Sequence, residues 1–561
     1  MNRRTFLKKA ARTAGLAGVS TAGVLLQVCA GKKEYDIVVK NGLVYDGSGG
    51  RPFKSDLGIT ADTIRTIGKI ENGRGKMIIE AEGLAASPGF IDVHDHTDIS
   101  LLVNPRAESV IHQGITTLLS GNCGGSAFPI PESLFEEQRD RIQKAYGVDL
   151  TWRDMAGFLG RLEEQGIALN YATLLGHGSL RGAVVGFNDR QPTAVEMEKM
   201  ERLLEEHLRG GAFGLSSGLE YTPGSFARPE ELAELCRVVA RFDAVYATHM
   251  RDEEDGILES IAECLGAARN SGARLQISHL KVGGSRNWPL VDAALTRIEE
   301  AKQAGTDVFC DRYPYIAGST GLSILFPLWA REGTTAEFIG RLQDPSLEAR
   351  LRAHLAEQED LYGSWEKVLI SEVASEGYRR LQGKSILEAA GESGKQPYDF
   401  MRDLLVEENG MVRMILFYGS EEVLKRILAH PLVGVGCDGS AVAPSGVLSA
   451  GKPHPRNYGT FPRVLGKYVR EEKIVPAEEM IKKMTAIPAL RFGFERRGLI
   501  RPEYFADLVI FNPETIADRA TWDNPHQFPL GIEFVIVNGR VVVGGGEHTG
   551  LLPGRILRKK A

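Results

Sequence analysis

The sequence predicts a (β/α)8 barrel, the TIM-barrel class, carrying a small β-sandwich built from both chain ends and an insertion between its seventh and eighth strands. Three observations predict it. From Pro88 onward, apolar runs alternate with longer charged segments of helical pattern, the texture of a parallel sheet or barrel. The runs number eight, at residues 90–93, 115–119, 170–175, 212–215, 244–248, 275–278, 307–310 and 433–436, and eight is what a closed barrel requires. Outside them, residues 35–86 and 496–561 read as short alternating strands separated by turn clusters such as Asp46-Gly47-Ser48-Gly49-Gly50. Neither β piece is long enough to bury a core alone, so the two are expected to join.

The bounds agree. The chain has 561 residues, 43% hydrophobic and 25% charged, enough for one large domain and a satellite. A formal net charge of −6 carries no basic excess, so nucleic acid is not an expected partner. Anionic substrates must be held by local cations.

The first 30 residues stand apart. Asn2-Arg3-Arg4-Thr5-Phe6-Leu7-Lys8 precedes a charge-free run at 13–28, the pattern of a twin-arginine export signal, whose partner is the twin-arginine translocation machinery. The run is too short and too rich in Gly, Ser and Thr for a membrane span. Val28-Cys29-Ala30 offers a cleavage site after Ala30. Leu26-Gln27-Val28-Cys29 imperfectly matches a lipoprotein box in which Cys29 is a lipid anchor, and bulky Val28 ranks that second. The expected location is periplasmic or otherwise extracytoplasmic. This route exports folded proteins, often with a metal already inserted, which suits a metalloenzyme. Six cysteines spread along the chain form no disulfide framework, and five remain after cleavage.

The barrel proper is expected over 87–495, with an insertion at about 316–432. Leu347, Leu351 and Leu355 recur at four-residue spacing there, so the insertion reads as mostly helical, set over the C-terminal mouth where lids and specificity elements sit. An ordinary peripheral helical excursion fits the same pattern.

Barrel enzymes carry their chemistry at the C-terminal ends of strands. The first run ends in His94-Asp95-His96. Alternate strand residues point the same way, so these two imidazoles can share a metal ion. The second run ends at Cys123, the fifth at His249, the sixth at His279 and the eighth at Asp438. Singly, each is as well read as a buried histidine, a small apolar cysteine or an aspartate in an Asp-Gly turn. Their occurrence at matching positions argues for a metal site.

These residues resemble the D-aminoacylase, or N-acyl-D-amino-acid deacylase, branch of the amidohydrolase superfamily. The resemblance runs from about Tyr35 to the C-terminus. It rests on PGFIDVHDH, SGNCG, SGLEYTPG, THMRDE, ISHLK, DRYPYIAGST, CDG, KPHPRNYG, NPHQFPLGI, VNG and PGRILR, and is weak over the insertion. It implies zinc held tightly by Cys123, His249 and His279, with His94 and His96 forming a second, weaker site. Thiolate and imidazole are ligands that zinc prefers, and three of them leave a position open for water. It implies Asp438 as general base and acid, and Tyr221, Lys281, Tyr313, Ser319 and Arg456 around the substrate. Arg456 and Lys281 suit a carboxylate, and the Tyr221 phenol suits a developing oxyanion. His177 also matches the family, without a role.

Hydantoinases and dihydroorotases resemble this architecture but bridge two metals with a carboxylated lysine at a strand end. Here the third and fourth runs end in Leu175-Gly176-His177 and Leu215-Ser216-Ser217, which argues against that branch. The expected activity is zinc-dependent hydrolysis of N-acyl-D-amino acids to a carboxylate and a D-amino acid. The alternative is another amidohydrolase reaction, on a dipeptide or cyclic amide, at the same metal site. One departure stands out: the family usually has glycine in the turn before the ADLVIF strand, where this chain has Tyr504.

Overall fold

The computed structural model describes residues 34–560; the twin-arginine stretch, the cleavage site and Cys29 lie outside them. Eight parallel strands follow one another as β1 (Phe90–Asp92), β2 (Ile115–Ser120), β3 (Asn170–Thr173), β4 (Gly214–Gly218), β5 (Val245–His249), β6 (Arg274–Ile277), β7 (Val308–Arg312) and β8 (Val433–Val435). β1, β2 and β3 form one ladder. β8, β7, β6, β5 and β4 form another, which ends on the two-residue strand Leu175–Gly176. Leu174 alone separates that pair from β3, so the third strand serves both ladders: Leu174 N donates to Ser120 O at 2.9 Å and Phe213 N to Thr173 O at 2.9 Å.

The other seam lies just past β1 and β8. Asp438 N donates to His94 O and His96 N to Gly439 O, both at 2.7 Å, and Asp95 and Gly439 form a parallel bridge. Gly436 permits this approach, because a Cβ there would stand 2.7 Å from that of His94. Every residue of β2 is buried, as expected of a strand covered on both faces.

The two chain ends share one nine-stranded sheet. Leu508–Phe511 pairs antiparallel with Ala85–Pro88, and Leu57, Ile59 and Ile79 share a core with Leu508, Ile510 and Ile536. The turn before Leu508 puts its left-handed residue at Glu503 (φ 65°), so Tyr504 needs no glycine-like conformation.

The insertion is helical over much of its length, as its sequence pattern predicts, and also holds a sheet that the pattern did not reveal. It contains helices such as Glu348–Tyr362, but they pack on a three-stranded antiparallel sheet, Ala317–Gly321, Val412–Phe417 and Val368–Val373, with the second in the middle. Leu351, Leu355, Trp365, Leu404 and Met414 belong to its separate core. Cys123, Cys236, Cys264, Cys310 and Cys437 are free thiols. Among the described residues, no helix is long and apolar enough to cross a membrane.

Candidate active site

The strand ends converge as their spacing predicts. Cys123 Sγ lies 3.2 Å from His94 Nε2 and 3.5 Å from His279 Nε2. Two donor groups share this thiol: His94, His96, Cys123 and Asp438 in one, and Cys123, His249 and His279 in the other, with donor atoms inside each group within 4.8 Å of one another. Cys123 (φ 50°), His279 (φ 35°) and Asp438 (φ 52°) all adopt left-handed backbone conformations. Such residues cost about 1–3 kcal/mol each and persist where the surroundings over-determine them, typically at functional sites. For Cys123 the surroundings include Gly218, whose absent Cβ would stand 2.1 Å from Cys123 O.

Charge is dense here. Burial opposes ionisation of Cys123, but His94 and His279 hold its thiol well below the ordinary thiol range. Burial likewise disfavours charged His94, yet Cys123, Asp311 and Asp438 raise it well above an ordinary imidazole. Against burial, Asp438 and Cys123 push His96 up to about 9. A thiolate among imidazolium groups is the charge pattern a divalent cation replaces when it displaces their protons. Buried His249 Nδ1 has no hydrogen-bond partner. The donors are soft or borderline, so the residues fit zinc.

Asp438 stands at the edge of this cluster. Its Oδ1 lies 3.0 Å from His96 Nε2 and 3.5 Å from His94 Nε2, while Oδ2 accepts from Arg456 Nη1 at 2.7 Å. Burial would raise its pKa, but Arg456 and the histidines hold it well below the usual carboxylate range. Arg456 donates from Nη2 to Ser319 O at 3.3 Å and lies over the Tyr313 ring at 4.7 Å. Ser319 thus meets Arg456 through its backbone carbonyl. Tyr313 Oη lies 2.6 Å from Tyr418 Oη. Of the neighbouring tyrosines, Tyr315 is the one that packs away from the donors, against Trp522 and toward Asp518.

Tyr221 stacks edge-on to His249 at 4.8 Å and accepts from Thr320 of the insertion at 3.2 Å. Burial and nearby Glu220 and Cys123 raise its pKa well above an ordinary phenol, keeping it a hydrogen-bond donor. Lys281 lies 3.0 Å from His279 Nδ1 and in direct contact with Glu253. His454 shapes the loop: it accepts from Arg456 N at Nδ1 and donates from Nε2 to Ala317 O. His177 pairs with buried Glu231 at 2.8 Å, outside both donor groups.

Three carboxylates in the site escape a reading by strand ends. Asp311 meets His94 Nδ1 at 2.9 Å, Glu220 meets His249 Nε2 at 2.8 Å, and Glu253 lies 3.1 Å from His279 Nδ1. All three sit inside the motifs DRYPYIAGST, SGLEYTPG and THMRDE.

A barrel whose strand ends bring together a thiol, four imidazoles and an aspartate defines the class of metal-dependent hydrolases. The sequence pattern described as Amidohydrolase family matches residues 77–543. N-acyl-D-glutamate deacylase of Alcaligenes xylosoxydans xylosoxydans is 34% identical over 531 residues, covering 94% of this chain and 98% of that protein. D-aminoacylase of the same organism is 34% identical over 534 residues, covering 94% and 98%. The crystal structure of N-acyl-D-glutamate deacylase from Bordetella bronchiseptica, complexed with zinc and a phosphonate mimic of the tetrahedral intermediate, superposes with a TM-score of 0.79 at 32% identity, covering 94% of this chain and 100% of that one. The chain belongs to the amidohydrolase family.

Proposed function

We propose that the protein is a zinc-dependent deacylase that hydrolyses the amide bond of N-acyl-D-amino acids, releasing a carboxylate and the free D-amino acid. The observation that carries this reading is Asp438, whose carboxylate stands 3.0 Å from His96 and 2.7 Å from Arg456 beside the shared thiol. A proton carrier, a carboxylate-binding cation and metal donors within one small volume are what hydrolysis of an acylated amino acid needs.

Cys123, His249 and His279 hold the tightly bound zinc, and His94 and His96 contribute to a weaker second site. Zinc held there supplies Lewis acidity toward an acyl carbonyl and a water of lowered pKa. Asp438 takes a proton from the attacking water and returns it to the departing amine nitrogen. Arg456 and Lys281 bind the substrate carboxylate, Tyr221 donates to the developing oxyanion, and Tyr313 and the Ser319 carbonyl orient Arg456. Arg456 also couples binding to chemistry. A substrate carboxylate that shares its guanidinium weakens the ion pair on Asp438 and raises that group's proton affinity when it must accept a proton.

The test is a panel of N-acetyl-D- and N-acetyl-L-amino acids beside hydantoin and dihydroorotate, with zinc content assayed in parallel. Turnover of the D series in proportion to zinc is expected. Turnover confined to the cyclic amides, or equal on both enantiomers, would overturn the assignment.

The reading extends to location. The twin-arginine pattern supports export to the periplasm, with cleavage after Ala30 or lipid attachment at Cys29. Replacing Arg3 and Arg4 together with lysine is expected to retain the protein in the cytoplasmic fraction, and normal export of that variant would exclude the route.

A further inference from the structure

We infer that Asp311 is a positioning residue that directs His94 toward the shared thiol, so that the second donor group depends on a carboxylate outside it. The inference rests on the reading above that His94, His96 and Cys123 hold a metal. Asp311 is the penultimate residue of β7, on the far side of the seam from β1, and is 1% exposed. Its Oδ1 lies 2.9 Å from His94 Nδ1 and accepts from His279 N at 2.8 Å, while Oδ2 accepts from Gln276 Nε2 at 2.8 Å. Gln276 is itself fixed, because its Oε1 accepts from Arg491 Nε at 2.9 Å.

The consequence for His94 is geometric. An Nδ1–H donated to Asp311 leaves the Nε2 lone pair as the only metal donor on that ring, and Nε2 is the atom 3.2 Å from Cys123 Sγ. Histidines that ligate metals almost always donate the other ring N–H in this way, and loss of the outer partner typically costs roughly 10–100-fold in metal affinity. His249 and His279 hold their rings against Glu220 and Lys281, so Asp311 serves the imidazole of one donor group alone. Its one link to the other group is the backbone N–H of His279.

Asp311→Asn is the informative substitution. All three groups facing the carboxylate are N–H donors, so either orientation of an asparagine turns its NH2 toward a donor. Zinc binding to metal-free wild type and D311N would be followed by competition with a chromophoric chelator, with a circular-dichroism spectrum of each. Two affinity classes are expected in wild type. In D311N the weaker class should lose roughly 10–100-fold while the tighter class, which also reports an intact fold, moves less than about threefold. An unchanged weaker class would overturn the inference, as would preferential loss of the tighter one, since Asp311 would then act through His279. A single class in wild type would refute the second metal group itself, and would be recognised because the failure appears before any substitution. Asp311→Glu, which restores the charge but displaces it, should recover less than a tenth of the lost affinity; full recovery would mean that charge, not placement, is what Asp311 provides.

Discussion

Asp438 is held in an environment that opposes its proposed role. It is buried in a left-handed conformation and pinned by Arg456, an arrangement that lowers its proton affinity although its proposed work is to accept a proton. Asp438→Asn keeps the shape and removes the base. Its kcat should fall by about 10²–10⁴ while zinc at Cys123, His249 and His279 stays within a fraction of an equivalent, as measured by metal analysis beside steady-state rates. Retained turnover would remove Asp438 from the mechanism. At this scale the sequence was informative wherever a donor terminates a strand, because a barrel delivers strand ends to one rim. It was uninformative about Asp311 and Glu253, whose partners follow other strands of the barrel and whose roles depend on which ring nitrogen faces them.

The insertion shows the same boundary at the level of elements. Its helix Glu348–Tyr362 was visible as a four-residue leucine spacing, whereas its sheet pairs Ala317–Gly321 with Val412–Phe417, segments far apart in sequence whose register no local period records. The insertion has its own core but touches the site through Thr320 and Tyr418, so loosening it should impair substrate binding before metal binding. Leu404→Ala, at a position 1% exposed in that core, is expected to cost about 2–5 kcal/mol, to speed hydrogen exchange across the insertion and to raise KM, with zinc content unchanged. Another contact between insertion and barrel, Tyr362 Oη to Glu254 Oε1 at 3.4 Å, carries a pH dependence. Burial, then Glu220, Glu253 and Asp252, push Glu254 from 4.5 up to about 8. The folded state therefore keeps a proton that the unfolded chain releases near 4.5. The stabilisation is complete below that value and is lost as pH rises through about 8. In metal-free protein, melting temperatures measured between these limits should fall less steeply for Glu254→Gln than for wild type, and identical slopes would refute the shift.

For the whole molecule, the decisive fact is that the chain ends do not form an independent appendage. The strand Leu508–Phe511 pairs with Ala85–Pro88, and Gly89 N donates to Asp507 O at 2.8 Å, immediately before the strand that leads to His94 and His96. The joining of the ends was readable because neither piece has enough apolar surface alone. What fastens them was not, because it is a buried polar network assembled from four distant positions. Asp507 Oδ1 accepts from Asn538 N at 2.7 Å, its Oδ2 accepts from Asn170 Nδ2 at 3.1 Å, and Arg497 pairs with the same carboxylate. Asn170 opens β3, so the network ties the sheet to the end of the barrel opposite the metal donors. Removing one partner of a buried pair leaves the other charge uncompensated, at a cost of about 3–5 kcal/mol. Asp507→Ala should therefore lower the urea midpoint markedly. The molecules that remain folded should keep wild-type kcat/KM and zinc content, since no donor residue touches the network. A variant with an unchanged midpoint and lost zinc would show that Asp507 acts on the site and not on the junction.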